Sequence, residues 1–466
     1  MNVARLSRWA IALMQDIPPL DASRKGCQER DSRPRTQCAP DPASHRANLW
    51  LLIFHQIIFR VGWTFKTESV VLPGFLDFLV GPGAGVYRGF LPILNRAGQG
   101  VFPIFLARLM DHVPTKRFTL VIFSALLAIP LGLMAVLALG HGEIGRRNAA
   151  VTFLAVYFLF SGIYGLYQVA FNTVQGKLIR PDYRGRLMSY STFWGTIPAV
   201  LVGFLVLRTW LSGDSPHYDI VFSTSACLFI LSGVLCLLLR EPGKNGTRHE
   251  VTTINFWEPF IRSFRTRPGL RGLWLVSMVY SFSLALVPHY QAFARERLHI
   301  SADQQYLWVI AQSASVGVFS VLVGWLADRF GNRLTFALLV FCSAMTPAWC
   351  LAMLHLPRSW VESGIWFTFL TLAFTTLTPR LAVNYALELV PAQEHAVATA
   401  GLQVAITLPL LASPLWGWII ELWGFERLLH AAIVVISLAG AMSIFLPEPR
   451  TSLHAKLPSK IIPGEE

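Results

Sequence analysis

The sequence predicts an all-α integral membrane protein of twelve transmembrane helices, arranged as two six-helix bundles related by pseudo-twofold symmetry. Three observations carry this. Apolar runs of about twenty residues, the length that crosses a bilayer, recur along the chain. Of 466 residues, 54% are hydrophobic and only 14% charged, with a mean hydropathy of +0.50, whereas a soluble domain carries about 25% charged residues. Landmarks of the first half also reappear, in order, in the second.

Residues 1–47 precede the first span. "DASRKGCQERDSRPRTQCAPDPASHR" is polar, contains Pro and lacks helical periodicity, so it reads as a disordered cytoplasmic tail. Its opening, "MNVARLSRWAIALM", joins basic residues to an apolar run too short for a signal peptide, with no small-residue cleavage site after it. Spans are predicted to start near Leu49, Gly85, Phe118, Ala150, Leu187 and Ile220, then Gly272, Tyr306, Leu334, Gly364, Ala396 and Phe425. This gives a first bundle over 48–240, a linker over 241–270, a second bundle over 271–447 and a tail over 448–466. Within the linker, Phe256, Trp257, Phe260, Ile261 and Phe264 share one helical face with Arg262 and Arg265 elsewhere, as in a helix lying flat at the membrane surface.

Lys and Arg fix the orientation. With both tails inside, inner loops hold most of them, and the outer side keeps only scattered arginines such as Arg88, Arg146 and Arg358. That bias predicts cytoplasmic termini in the cell inner (plasma) membrane. It also accounts for the formal charge of +13 through lipid head groups, with no nucleic-acid partner.

The repeat is legible residue by residue. "ARLMDHVPTKRF" holds Asp111, and "GWLADRFGNRLTF" holds Asp328, 217 residues later. Pro73 answers Pro288, Pro181 answers Pro391 and Pro242 answers Pro449, at separations of 215, 210 and 207. Four ordered coincidences indicate an internal duplication.

With these residues in view, the chain resembles the major facilitator superfamily, whose signature reads roughly G-x-L-x-D-R-x-G-x-R-R between the second and third helix of a bundle. Gly324, Leu326, Asp328, Arg329, Gly331 and Arg333 keep the second copy nearly intact. The first copy retains Leu109, Asp111, Lys116 and Arg117 but has Ala107 and Pro114 where Gly is usual. The resemblance covers about 48–447 and implies alternating access to one site between the bundles. It also implies a cytoplasmic gate: Asp328 against the start of the fifth helix near Arg184 and Arg186, and Asp111 against the eleventh near His395. A carboxylate at a helix N-terminus is favoured by free N–H groups and the helix dipole, and the tight turn needs Gly at a strained position such as Gly331. A competing reading is that these charges only fix topology.

Charges inside apolar spans cost a few kcal/mol each, so they face a cavity or a partner. Arg60, Thr64 and Glu68 recur every four residues on the first helix, Arg96 and Gln99 stand on the second, and Arg380 and Asn384 on the tenth. The resemblance implies that the first, fourth, seventh and tenth helices line the cavity. Arg60, Glu68 and Arg380 then become the leading substrate contacts, joined by Arg96, Gln99 and Asn384. Tyr164, Tyr167, Gln168 and Asn172 could join from the fourth helix, and Tyr280, His289 and Gln291 from the seventh. Excess cation points to an organic anion, because guanidinium forks match carboxylates. The alternative is structural, with Arg60 neutralised by Glu68 and Arg96 by a backbone carbonyl. Glu68 is the candidate for a coupling proton. The fourth-helix Arg motif of many proton-coupled members is missing, and Gly195, Pro198 and Gly203 do not reproduce the G-P-x-x-G-G pattern of drug–proton antiporters.

No HExxH, GxSxG or GxxxxGK[ST] occurs, and the six Cys form no CxxC pair. Neither enzyme activity nor any cofactor or metal is expected. The remaining partners are a small-molecule substrate, the lipid bilayer and a coupling proton or ion, with the chain a monomer. Two further readings compete with a transporter: a transporter-like sensor or scaffold, suggested by the degraded first signature, and a membrane-embedded transferase, which lacks a catalytic constellation.

Overall fold

A computed structural model describes residues 42–81, 84–106, 115–211, 216–241, 257–391 and 394–448. Most of the expected N-terminal tail, residues 107–114 of the first signature copy with Leu109 and Asp111, and residues 449–466 lie outside this set. Among the described residues every regular element is helical. Nine helices are long and apolar enough to cross a membrane. The expected spans outside that set are the first, second and tenth, which carry Arg60, Arg96 and Arg380.

The first half comprises α1 (Pro42–Thr64), α2 (Val71–Val80), α3 (Gly85–Leu106), α4 (Lys116–Leu126), α5 (Ala128–Ile144), α6 (Arg146–Leu178), α7 (Pro181–Val202) and α8 (Tyr218–Leu235). A π-turn, Gly203–Leu207, extends α7 to Trp210. The linker holds α9 (Trp257–Thr266), whose Phe260 stacks on Trp274 with ring centroids 4.9 Å apart. The second half comprises α10 (Pro268–Ala285), α11 (His289–Ala292), α12 (Gln305–Phe330), α13 (Asn332–Ser343), α14 (Met345–Met353), α15 (Arg358–Gly364), α16 (Trp366–Glu388), α17 (His395–Leu410), α18 (Ser413–Trp423) and α19 (Phe425–Ile444). Helix α1 begins at Pro42, ahead of the expected boundary at 48.

One expectation is corrected here. The first span is not a continuous helix, so Glu68 does not share a helical face with Arg60 and Thr64. Residues 65–70 are irregular: Phe65 and Lys66 donate back to the Gly62 and Trp63 carbonyls at 3.2 and 3.1 Å, closing α1 with a tightened turn. The Thr67 hydroxyl then accepts the Val71 amide at 3.3 Å, opening α2. Irregular backbone at membrane depth survives only inside protein or beside a water-filled space. Lys66, Ser69 and Val70 are accordingly fully buried.

The two halves meet along α3 with α18 and α7 with α12. Close approach is concentrated on the face opposite the described chain ends. A Cβ on Gly417 would lie 2.1 Å from the Gly85 carbonyl, and one on Gly89 would lie 2.6 Å from that of Ser413. Ser413 Oγ donates to the Gly89 carbonyl at 2.6 Å. Beneath this seal, Ile93, Ala285 and Leu410 form a small apolar plug. Toward the face bearing Pro42 and Glu448 no described atom lies within 4 Å of a Cβ on Gly100 of α3 or Gly324 of α12, and Phe105 and Trp325 are exposed.

The duplicated loops make one clamp twice. Arg117 Nη1 donates to the Leu239 and Leu237 carbonyls at 2.9 and 3.5 Å, while Glu241 accepts the amides of Lys116 and Arg117, both at 3.0 Å. Arg333 Nη1 donates to the Leu446 and Ile444 carbonyls at 3.3 and 3.5 Å and pairs with Glu448 at 3.4 Å. Each clamp ties the start of a third span to the end of the sixth in its own half.

Candidate functional site

Below the apolar plug, charged side chains from three helices converge between the halves. Arg60 of α1 is half-buried, its aliphatic stem passing over Gly195 of α7, where a Cβ would lie 2.9 Å from Arg60 Cδ. Arg96 of α3 is also half-buried, and Arg380 of α16 is exposed with Asn384 one turn further on. Arg60 feels the like charge of Arg380 across the two halves, and Tyr164 of α6 feels both Arg96 and Arg380. Among the described residues none of these three guanidinium groups has a hydrogen-bond or ion-pair partner.

The carboxylate of this region is committed elsewhere. Glu68 accepts from Lys66 Nζ at 2.8 Å and from the Asn95 amide. Asn95 also donates to Tyr157 at 2.9 Å and accepts from Gln99. The expected neutralisation of Arg60 by Glu68 is therefore replaced by a Lys66–Glu68 pair, because the helix break turns Glu68 away from the α1 face that carries Arg60. Lys66 escaped the sequence-based candidate set, although a cation in an apolar run was its signal.

Other expected contacts divide into two groups. Tyr164 and Gln168 are partly exposed and Asn172 is exposed, each four residues from the last along one face of α6. Tyr167 is used within the first half, accepting from Gln56 at 2.7 Å and stacking on Phe59 at 4.3 Å. Tyr280 donates to the Thr375 carbonyl at 3.0 Å inside the second half. His289 is buried against Leu286, Tyr290, Phe293, Ile420 and Leu428, where it senses the charge of Arg88 instead of joining the arginine cluster. Gln291 is fully buried beside Asp77, away from the arginine cluster.

The gate residues take unexpected partners. Gly331 ends α12 at φ +89°, the conformation that favours glycine, and its amide returns to Ala327 at 3.0 Å. Gly324 lies inside α12, Asp328 and Arg329 in its last turn, and Arg329 sits over the Trp325 and Phe330 rings. Arg184 donates to the Gly176 and Ile179 carbonyls at 2.7 and 3.1 Å, and Arg186 lies over Tyr183. Arg117, Arg333, Arg184 and Arg186 thus bind within their own halves.

A second charged cluster, unforeseen from sequence, belongs to the sealed face. Arg88 of α3, 2% exposed at its side chain, pairs with Asp77 of α2 at 2.8 Å and with Glu296 of the second half at 2.7 Å. Arg295 also approaches Asp77, at 3.7 Å. The signal was Asp77, a carboxylate within the apolar run "LPGFLDFLV".

Comparison with known proteins supplies the frame for this geometry. The family model described as Major Facilitator Superfamily matches residues 89–296 and 291–463. A cis,cis-muconate transport protein of Acinetobacter baylyi is 29% identical over 150 residues, covering 32% of this chain and 35% of that protein's length. Among solved structures, a bacterial homologue of the human lysosomal transporter Spinster, inward-facing and unoccupied, aligns at a TM-score of 0.58 with 14% identity, covering 89% of this chain and 98% of that one. A D-xylose–proton symporter aligns at 0.64 with 16% identity over 85% of this chain and 98% of its own. A nucleoside transporter aligns at 0.62 with 14% identity over 86% and 99%. At these identities the three structures speak for the fold alone.

Proposed function

This chain belongs to the major facilitator superfamily, a family of transporters and not of enzymes, and from that premise we propose that it is a secondary active transporter of organic anions. It works by alternating access between bundles over 48–240 and 271–447. Both termini lie in the cytoplasm of a cell inner membrane, so the sealed face looks outward and the cavity opens inward. Twelve spans cross the bilayer, and the monomer is the working unit.

One observation carries the anion reading: among the described residues Arg60, Arg96 and Arg380 form no ion pair, and Glu68, whose charge reaches Arg96, is held by Lys66. Uncompensated guanidinium groups are costly once water is excluded, and a carboxylate completes them through paired charge-assisted hydrogen bonds. Arg60 and Arg380 belong to opposite bundles and repel one another, so a ligand with two carboxylates would relieve that repulsion while drawing the bundles together. Dicarboxylates are therefore the favoured class. The similarity to a muconate transport protein supports the same class, since muconate is an unsaturated diacid, although the match covers only about a third of either chain. Tyr164, Gln168, Asn172 and Asn384 supply the neutral lining, and Glu68 accepts the coupling proton.

A thermal-shift panel of organic anions, neutral sugars and organic cations tests this, with Arg60→Gln and Arg380→Gln alongside the parent. A ligand that binds only the folded protein adds about 2.7 kcal/mol at a hundredfold excess over Kd. Stabilisation by dianions alone, lost in both variants, is the expected result. Equal stabilisation of all three proteins by neutral compounds would make the arginines structural and remove the anion reading.

A further inference from the structure

Lys66 is fully buried in the break between α1 and α2, where it holds Glu68. Its ammonium lies 3.8 Å from the ring centroid of Trp63, 4.4 Å from that of Phe160 and 5.5 Å from that of Tyr157. Glu68 closes the remaining side at 2.8 Å. The Lys66 side chain is 0% exposed and that of Glu68 33%, so Glu68 stands between the ammonium and the cavity. Ring faces stabilise a desolvated cation through their quadrupoles. They let the ammonium stay charged when its carboxylate lets go.

We propose that Lys66 is a substrate ligand held in reserve: Glu68 occupies its ammonium in the empty carrier, and a substrate carboxylate takes that place once Glu68 is protonated. The inference rests on the organic-anion reading and adds to it a residue and a linkage. A proton from cavity water adds to a Glu68 carboxylate oxygen, turning the ionic contact with Lys66 into a weaker neutral one. Lys66 keeps its three protons, and no electrons move. The groups facing Glu68 are Lys66 on its own segment, Asn95 and Arg96 from α3, and Tyr157 and Tyr164 from α6. Tyr280 of α10 faces Arg96 from the other bundle. With Glu68 neutral, Lys66, Arg60, Arg96 and Arg380 confront the substrate with no internal carboxylate to compete. Proton and anion then favour each other's binding, reciprocally. The next residue, Ser69, donates to Gln312 of α12 in the other bundle, so the change of partner happens beside a contact that joins the two bundles.

Calorimetric titration of the purified full chain with cis,cis-muconate tests this, at about pH 5.5 and about pH 8, both above the ordinary glutamate value. Ethanedisulfonate, ionised throughout, controls for titration of the ligand. The parent should bind about tenfold tighter at the lower pH, within the usual range of such couplings. Glu68→Gln should bind at the higher pH at least as tightly as the parent does at the lower, with no pH dependence, and such a gain cannot come from misfolding. Lys66→Met should bind weakly at both, and the Lys66→Met/Glu68→Gln double variant, which leaves neither member of that pair charged, should be equally weak. A parent that binds dianions, with Glu68→Gln no tighter at the higher pH or Lys66→Met unchanged, overturns the role of Lys66 and leaves the anion reading standing. If no dianion binds the parent at either pH, both fall together.

Discussion

At the sealed end, Arg88 of α3 reaches Asp77 in its own half and Glu296 in the other, and backbone meets backbone at Gly85 and Gly417. At the end bearing Pro42 and Glu448, Arg117 and Arg333 are engaged as fully, yet each bonds only to its own half. The same residue chemistry thus does two different things. Across the halves it closes a gate whose contacts must break for that face to open. Within a half it stiffens a bundle that can move as a body.

The largest effect that tests this contrast is expected at Arg88. Arg88→Met leaves Asp77, 11% exposed, with Arg295 at 3.7 Å and the amide of Gln291. Removing one partner of a buried ion pair costs about 3–5 kcal/mol. The 41% exposure of Glu296 puts this case at the low end, and Glu296→Gln should cost far less. Thermal unfolding of the two variants checks the order, and equal losses would mean the bridge to the second half is not the weaker arm.

Overpacking the seal comes next. Gly417→Leu has no room beside Gly85, and such crowding costs about 1–3 kcal/mol, so the halves should part on that face. Nitroxides at the exposed Leu139 and Trp360, on a cysteine-free background, should report a longer separation. Gly100→Leu at the splayed end meets nothing within 4 Å and should leave the distance unchanged. A shift of the same size from both substitutions would erase the distinction between the ends.

The smallest effect belongs to a clamp. Burial at Glu241 pushes its carboxyl pKa up, but the Lys177 hydrogen bond and the amides of Arg117 and Lys116 outweigh it, holding the group below the usual carboxylate value. A depressed folded value means the contribution is present above the ordinary carboxylate range and fades as pH falls through the folded value. Acid melting curves of the parent should therefore show a modest loss that Glu241→Gln lacks. Parallel acid curves for the two proteins would count against it.

Nine of the expected spans were legible because each is a long apolar run bounded by polar loops, the length that crosses a bilayer. The break in the first span was not, since Phe65–Val70 contains neither Gly nor Pro and its periodicity runs on; the turn depends on the Thr67 hydroxyl and on burial of the Lys66–Glu68 pair. Arg60, Arg96 and Arg380 stood out because a charge in an apolar run needs a destination. His289 and Gln291 gave no such direction, as either can sit in a core as readily as in a cavity. Gly331 could be read from its turn. The targets of Arg117 and Arg333 could not, because the carbonyls they bind lie more than a hundred residues further along the chain.

In the proposed function, Arg60, Arg96 and Arg380 bind an organic anion for passage across the membrane. Uptake of labelled cis,cis-muconate into proteoliposomes tests it most directly, with the parent, Arg60→Gln, Arg380→Gln and the double variant compared at equal protein content and matched thermal stability. Saturable uptake by the parent, falling about tenfold or more in each single variant as a charged hydrogen bond is lost, is the predicted result. Uptake that is the same in the parent and the double variant, or no faster than in protein-free vesicles, would contradict it.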